Sequence, residues 1–187
     1  IDGTTVTELA ADGSALTNSL SFSFQLGSTW IDAASGPIGI YLAANTNNVG
    51  SIYFCSTGTD GLLNQPAQVA DLPIGETVNA IESYGGLLIL ATSKGLRLAT
   101  MNQDGSVSYG PVVDNGGAAY SLAVDDRFVW FGVSSGQVYR ADLSIFTEPL
   151  VPAWASDVVS TGGSPNNVTW VARDSGKTYF VDSGNGV

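Results

Sequence analysis

Histidine is absent from the 187-residue chain, and cysteine and methionine occur once each. Without histidine there is no Ser-His-Asp or Cys-His triad and no imidazole metal site. The commonest general base near neutral pH is missing too. The single cysteine, Cys55, excludes an intrachain disulfide and a zinc ribbon. Its setting in "SIYFCS" predicts a buried, inert thiol. The lack of disulfides leaves the compartment open, because a domain with a real core does not need them. Basic residues are also scarce, with 6 Lys and Arg against 17 Asp and Glu, for a net charge of −11. Nucleic acid is therefore excluded as a partner, since phosphate binding rests on Lys and Arg. An anionic membrane surface is disfavoured for the same reason. No apolar run approaches the ~18 residues of a membrane span, so no membrane insertion is expected. No signal peptide is visible, and the start at Ile1 favours a processed product or an excerpt of something longer. None of the Gly-rich stretches has the spacing that cradles phosphate, and no cofactor is expected.

What is present is apolar and turn-rich. Hydrophobic residues make up 44% of the chain and charged residues 12%, with 23 glycines. A disordered chain would show the reverse balance. Gly and Asn accept the positive φ of tight hairpins, so the composition predicts an all-β protein. No stretch of ten or more residues has helical periodicity; "TELAADGSAL" is broken by Gly13.

The chain repeats itself. "RFVWFGVSSGQVYRAD" at 127–142 matches "NVTWVARDSGKTYFVD" at 167–182, forty residues on. There Trp130 falls on Trp170, Gly136 on Gly176 and Tyr139 on Tyr179. Moving back 41 residues from 119–136 gives "VNAIESYGGLLILATSKG", with Leu122 on Ile81, Phe131 on Leu90 and Ser134 on Ser93. A looser copy, "IGIYLAANTNNVGSIYFCS" at 38–56, has Gly50 in place of Gly136 and a longer turn. Two repeated positions emerge: Tyr41, Ile89, Trp130 and Trp170, then Tyr53, Leu98, Tyr139 and Tyr179. Both are expected to fill gaps between units. A period of ~40–45 residues is that of a four-stranded propeller blade. "LLILAT", "FVWFGV" and "GIYLAA" lack polar alternation, which predicts sheets covered on both faces.

The expected fold is thus all-β and β-propeller-like, with about four blades of four antiparallel strands in a single domain over 1–187. The repeats are read at 27–72, 73–113, 114–152 and 153–187, with 1–26 a partial blade. "ELAADGS" at 8–14 resembles "TMNQDGS" at 100–106, so the chain opens in a third strand, followed by "LSFSFQL" as a fourth. Surplus strands at both ends favour an excerpt of a larger ring. Asp-Gly, Gly-Gly and Asp-Asp pairs mark turns and lack the ligand spacing of a calcium loop.

Function must then come from residues outside the repeated positions. Trp30, Tyr84, Tyr109 and Trp154 fall in or near turns on this reading, and an aromatic ring beside Asn or Asp suits a pyranose face. They are the candidate glycan- or partner-binding residues. No catalytic or metal-binding residue is assigned. Asp32, Glu82, Asp125 and Asp126 are the acids available for a glycosidase-type pair. Glu82 and Asp125 lie close to equivalent repeat positions, so repetition explains them without catalysis. Asn167, Val168 and Thr169 form a glycosylation sequon.

The segment 78–143 carries a resemblance. The phrases are "GGLLILATSKGLRLA", "DGSVSYGP" and "DRFVW". They resemble minor tail proteins of tailed phages that infect actinobacteria. The likeness covers about a third of the chain well. It implies a non-enzymatic virion component at the tail tip, acting in host-surface attachment or tip assembly. Its partners would be other tail proteins and host cell-surface polysaccharide, within a multimeric assembly. A secreted lectin-like propeller and a glycan-active propeller enzyme are the alternatives.

Overall fold

A computed structural model describes residues 5–7, 9–10, 12–14, 21–23, 28–113, 117–154, 159–160 and 168–183. Every element among them is a strand. β1 (Thr5–Thr7) pairs with β2 (Ser21–Ser23). The first four-stranded sheet is β3 (Ser28–Ser35), β4 (Gly39–Thr46), β5 (Val49–Ser56) and β6 (Ala67–Asp71). The second is β7 (Val78–Tyr84), β8 (Leu87–Thr92), β9 (Gly95–Met101) and β10 (Val107–Val113). The third is β11 (Ala119–Asp125), β12 (Phe128–Val133), β13 (Gln137–Glu148) and β14 (Val151–Trp154), with β15 (Val159–Ser160) pairing the start of β13. A last hairpin joins β16 (Val168–Asp174) to β17 (Lys177–Asp182). All pairings are antiparallel and all but β13–β15 join successive strands; the first strands stack in order, β7 on β3, β11 on β7 and β16 on β11. The architecture is β-propeller-like, and no sheet closes on itself.

Backbone irregularities fix the phase of the repeat. In each first-to-second hairpin the register slips once, near the start of the first strand. The slips lie between Trp30 and Asp32, Val78 and Ala80, Ala119 and Ser121, and Val168 and Trp170. A bulge leaves backbone groups unpaired, and side chains of the neighbouring sheet satisfy some of them. Asn45 donates from Nδ2 to the Val78 carbonyl at 2.7 Å and accepts the Val78 N–H at 2.9 Å. Asn79 donates to the Ala119 carbonyl at 2.7 Å.

This phase corrects the sequence reading of the last unit. β16 and β17 are a first and a second strand, not the second and third that the Trp130–Trp170 match implied. The residue of the last hairpin equivalent to Tyr41, Ile89 and Trp130 is Tyr179; Trp170 corresponds to Ser121. The boundary drawn between 152 and 153 also falls inside the third sheet, because β14 and β15 both pair with β13. The second repeated position dissolves as well. Leu98 opposes Ile89 and faces the third sheet, Tyr139 opposes Phe131 and faces the second, and Tyr53 opposes Leu42 on the far side of the first. The cause is turn length. Thr92 pairs Gly95 directly, whereas Ser134, Ser135 and Gly136 intervene in the third sheet. In the first sheet the turn is Asn47 and Asn48, both at positive φ, and Gly50 lies inside β5.

Three cores lie between sheets. Tyr41, Ala43 and Ile52 meet Val78, Ile81, Leu88 and Leu90 between the first and second. Ile89, Ala91 and Leu98 meet Leu122, Val129 and Phe131 between the second and third. Trp130 and Val138 meet Val168 and Val171 at the last junction. β8 is therefore apolar at successive positions because each face serves a different core. Cys55 is fully buried, as predicted. Pro152 sits in the outer strand β14, where a missing N–H costs least.

Candidate functional site

The two ends of the stack differ. One end gathers the first-to-second and third-to-fourth turns. Three of the latter share one geometry at 10–14, 58–62 and 102–106. In each, Asp12, Asp60 or Asp104 accepts the N–H two residues on, at 2.9, 3.1 and 3.0 Å, and a glycine follows at positive φ. The serine hydroxyls of Ser14 and Ser106 add a second bond at 2.6 Å, which with the N–H bond lowers the Asp12 and Asp104 carboxyls below their usual range. These Asp-Gly pairs are turn chemistry, as the sequence indicated.

Two clefts open at this end, with Tyr84 lining both. An apolar cleft of about 590 Å³ is walled by Tyr84, Leu87, Leu143, Phe146, Pro149 and Leu150. A smaller, more polar one of about 220 Å³ is lined by Ser35, Pro37, Ser83, Tyr84, Gly86 and Met101. The opposite end holds a cleft of about 430 Å³ lined by Ser28, Thr46, Asn47, Val49, Ser51, Tyr53, Gln68 and Asp71. Asp71 anchors its wall. It accepts Ser51 Oγ at 2.5 Å and Gln68 Nε2 at 2.7 Å, and Tyr53 donates its hydroxyl to Gln68 Oε1 at 3.2 Å. Burial, then the charge of Asp71, raises the Tyr53 hydroxyl. Sequence reasoning missed this cleft because its residues come from three separated segments.

The four predicted aromatics do not converge. Trp30 is in β3 rather than a turn and is only 3% exposed, edge-on to Tyr53 at 5.2 Å. Tyr109 is in β10, with Arg97 over its ring, and burial raises its hydroxyl. That hydroxyl is buried with no hydrogen-bond partner among the described residues. Both were misplaced because the bulged first strand and the fourth strand have weak alternation. Tyr84 ends β7 before the Gly85-Gly86 turn. Trp154 ends β14, 43% exposed, and packs on Phe131 and Tyr139 at 5.7 and 5.6 Å. Of the four, only Tyr84 lines any of these three clefts.

The acids separate by role. Asp125 pairs with Arg173 at 2.7 Å, and Asp126 is a turn residue at φ 56°. Asp32 accepts the backbone N–H groups of Ala33 and Ile81 at 2.9 and 3.0 Å. Glu82 is exposed, and its carboxyl is raised by partial desolvation and then by the charge of Asp32. Repetition does not account for Glu82: its counterparts in the other sheets are Ala34, Ala123 and Ala172, and Asp125 corresponds to Tyr84 and Asp174. Among the described residues no group of three His, Cys, Asp or Glu is placed to hold a metal. No helix among them is long and apolar enough to cross a membrane. Asn167 of the sequon lies outside the described residues.

No family model matches the chain, and no curated protein matches it. Among solved structures it is similar to the computationally designed Ika4 protein, at 12% identity and a TM-score of 0.58. That match covers 84% of this chain and 87% of the other. It is also similar to the computationally designed Ika8 protein, at 12% identity and a TM-score of 0.57, over 85% of this chain and 44% of the other. At such identity the likeness is one of fold alone.

Proposed function

We propose that the chain is a non-enzymatic structural and adsorption component of a phage tail tip, used in host-surface attachment or tip assembly. The observation that carries this reading is where the resembling phrases meet. "GLRLA" supplies Arg97, which is buried against Glu76 at 2.6 Å and donates to the Gly110 carbonyl at 2.5 Å. "SYGP" supplies that Gly110, and also Tyr109 beneath the Arg97 guanidinium. A Cβ on Gly110 would lie 2.4 Å from Leu150 Cβ, so glycine is required for the third sheet to approach. Two of the phrases, on the neighbouring strands β9 and β10, thus meet around Arg97, so the residues that carry the resemblance are scaffold residues. Rigid sheets with clefts at both ends suit a role in display and assembly. Partners would be other tail proteins and host polysaccharide, and the site of action the virion tail tip.

The test is mass spectrometry of purified virions with immunogold labelling. The chain's peptides should be present and the label should sit at the tip. Their absence from virions would overturn the reading.

A glycan-binding role is the second reading, favoured by the hydroxyl- and amide-lined cleft around Asp71. Binding of isolated cell-wall polysaccharide should weaken about tenfold in Gln68→Ala, as one lost hydrogen-bonding group implies. Tyr84→Ala and Trp154→Ala test the aromatic sites at the other end. Hydrolysis of the polysaccharide that disappears in Glu82→Gln would favour the enzyme instead.

A further inference from the structure

The cleft of about 430 Å³ on the first sheet carries charge of one sign. Asp71 is the acid among its described lining residues. All six Lys and Arg of the chain lie among the described residues, and none of them lines this cleft. Three of the bases are paired elsewhere, Arg97 with Glu76, Arg127 with Asp142 and Arg173 with Asp125.

The acid is held in a fixed direction by neutral groups. Ser51 Oγ and Gln68 Nε2 both donate to Asp71 Oδ1, at 2.5 and 2.7 Å. Gln68 is held in turn by the Tyr53 hydroxyl at 3.2 Å. Asp71 Oδ2 takes no hydrogen bond from a described residue. Ser51 is buried and Asp71 is exposed, so the carboxylate is braced from the sheet and turned to solvent. The rest of the polar lining is neutral. Thr46 donates its hydroxyl to Ser28 Oγ at 2.7 Å, and Asn47 stands in the β4–β5 turn.

This arrangement sorts ligands by charge. A carboxylate or phosphate would meet Asp71 with no base nearby to offset the repulsion. A protonated amine would bond to the open Oδ2, and charge-assisted bonds are roughly twice as strong as neutral ones. An amine alone would leave the hydroxyl and amide groups without partners, whereas a sugar supplies hydroxyls for them.

We propose that this cleft selects amino sugars that carry a free, protonated amine, with Asp71 Oδ2 accepting from the amine and the neutral polar groups holding the sugar hydroxyls. The proposal rests on the glycan-binding reading of the same cleft and adds the charge of the ligand. N-acetylation removes that charge, and a uronic acid reverses it.

Titration calorimetry of the 187-residue chain with tetramers of glucosamine, N-acetylglucosamine and galacturonate tests it. At about pH 6 amines are protonated and ordinary carboxylates ionised. The glucosamine tetramer should bind about fivefold tighter than its N-acetylated form, as an ion pair in an open cleft implies. The galacturonate tetramer should bind least, and 1 M salt should remove most of the preference. Resonances of the Gln68 side-chain amide should shift on binding. Asp71→Asn keeps an acceptor for Ser51 and Gln68 and should abolish the preference without lowering the melting temperature. Glu148→Gln, at an exposed acid of β13 toward the other end, should leave the preference intact. Equal effects of the two substitutions would mean general attraction to a chain of net charge −11 and overturn the proposal. A lysine tetramer that binds as tightly at Gln68 would show that the amine alone is read and would overturn the sugar assignment. Binding of the N-acetylated or galacturonate tetramer at least as tight as that of glucosamine would overturn the charge selection and leave glycan binding standing. Binding of none of the three sugars would remove both.

Discussion

Trp130 and Tyr179 hold the same place in successive sheets, each opposite an alanine of its first strand, Ala123 and Ala172. Trp130 is 7% exposed because β16 lies across it, whereas Tyr179 has no described sheet beyond it. The residue type is similar and the environment is not. Burial at a repeated position belongs to the stack rather than to the unit, and energies should follow the neighbours.

Phe131 and Phe180 sharpen this comparison most, since they are equivalent and identical. Phe131 is fully buried among Tyr139, Trp154 and the second sheet, while Phe180 is half-buried at the last junction. Phe131→Ala should cost about 3–5 kcal/mol in urea unfolding. Phe180→Ala should cost less than half of that. Equal losses would show that the last hairpin is as well covered as the middle sheets.

Two of the ion pairs, Arg97–Glu76 and Arg173–Asp125, divide the same way. Arg97 and Glu76 are both buried, with charge-assisted bonds from Nε and Nη2 at 3.0 and 2.6 Å. Glu76→Gln leaves a buried guanidinium uncompensated and should cost about 3–5 kcal/mol. The Asp125 side chain is 44% exposed in its pair with Arg173, so Asp125→Asn should cost about 0–1 kcal/mol. Thermal unfolding of both variants, with 1 M salt as a second condition, separates them. Only the Asp125 pair should respond to screening.

Much of the middle of the molecule was legible. Leu122 over Ile81 and Phe131 over Leu90 are true equivalents, and Ser93 and Ser134 both donate backbone N–H groups across the first-strand start, to Thr77 and Ala118. The last unit was misread by one strand because Trp170 and Gly176 resemble Trp130 and Gly136. A bulge at Asn79, Tyr120 or Thr169 is a backbone event with no residue type in common, so the feature that sets the phase has no sequence signature. The third sheet adds to the confusion, since β13 runs on to Glu148 and β15 returns to pair its beginning. The clefts were least legible. The wall around Asp71 draws on residues 28, 46–53 and 68–71, and no short motif records that they meet.

Junction tightness gives a smaller contrast. Ala43 shares a core with Val78, and Ala91 with Ala119; the equivalent of those alanines in the third sheet is Gly132, at β16. A Cβ there would lie 2.5 Å from Val168 Cγ1 and 2.6 Å from its carbonyl oxygen. Gly132→Ala should therefore cost about 1–3 kcal/mol. Hydrogen exchange should speed in β16 and β17 while β8 and β9 stay protected. Uniform loosening would mean that the last hairpin is not a separate unit of stability.

The least effect is expected at Glu82, the one acid among Ala34, Ala123 and Ala172. Its carboxyl is raised above the ordinary 4.5 by partial desolvation and by Asp32. The folded chain thus holds this proton more tightly than the unfolded chain. Below pH 4.5 both states are protonated at this position and the residue costs nothing. As pH rises past 4.5 the unfolded chain ionises first, and stability falls until the folded carboxyl has also ionised. Glu82→Gln removes that term. Its stability relative to the wild type should be level in acid and rise through the window above pH 4.5. The plateau should be well under about 1 kcal/mol, because solvent screens an exposed carboxyl. Urea midpoints of the two proteins between pH 3.5 and 7 measure the difference. A gain in acid that vanishes toward neutrality would reverse the sign and mean that the folded chain favours the ionised form of Glu82.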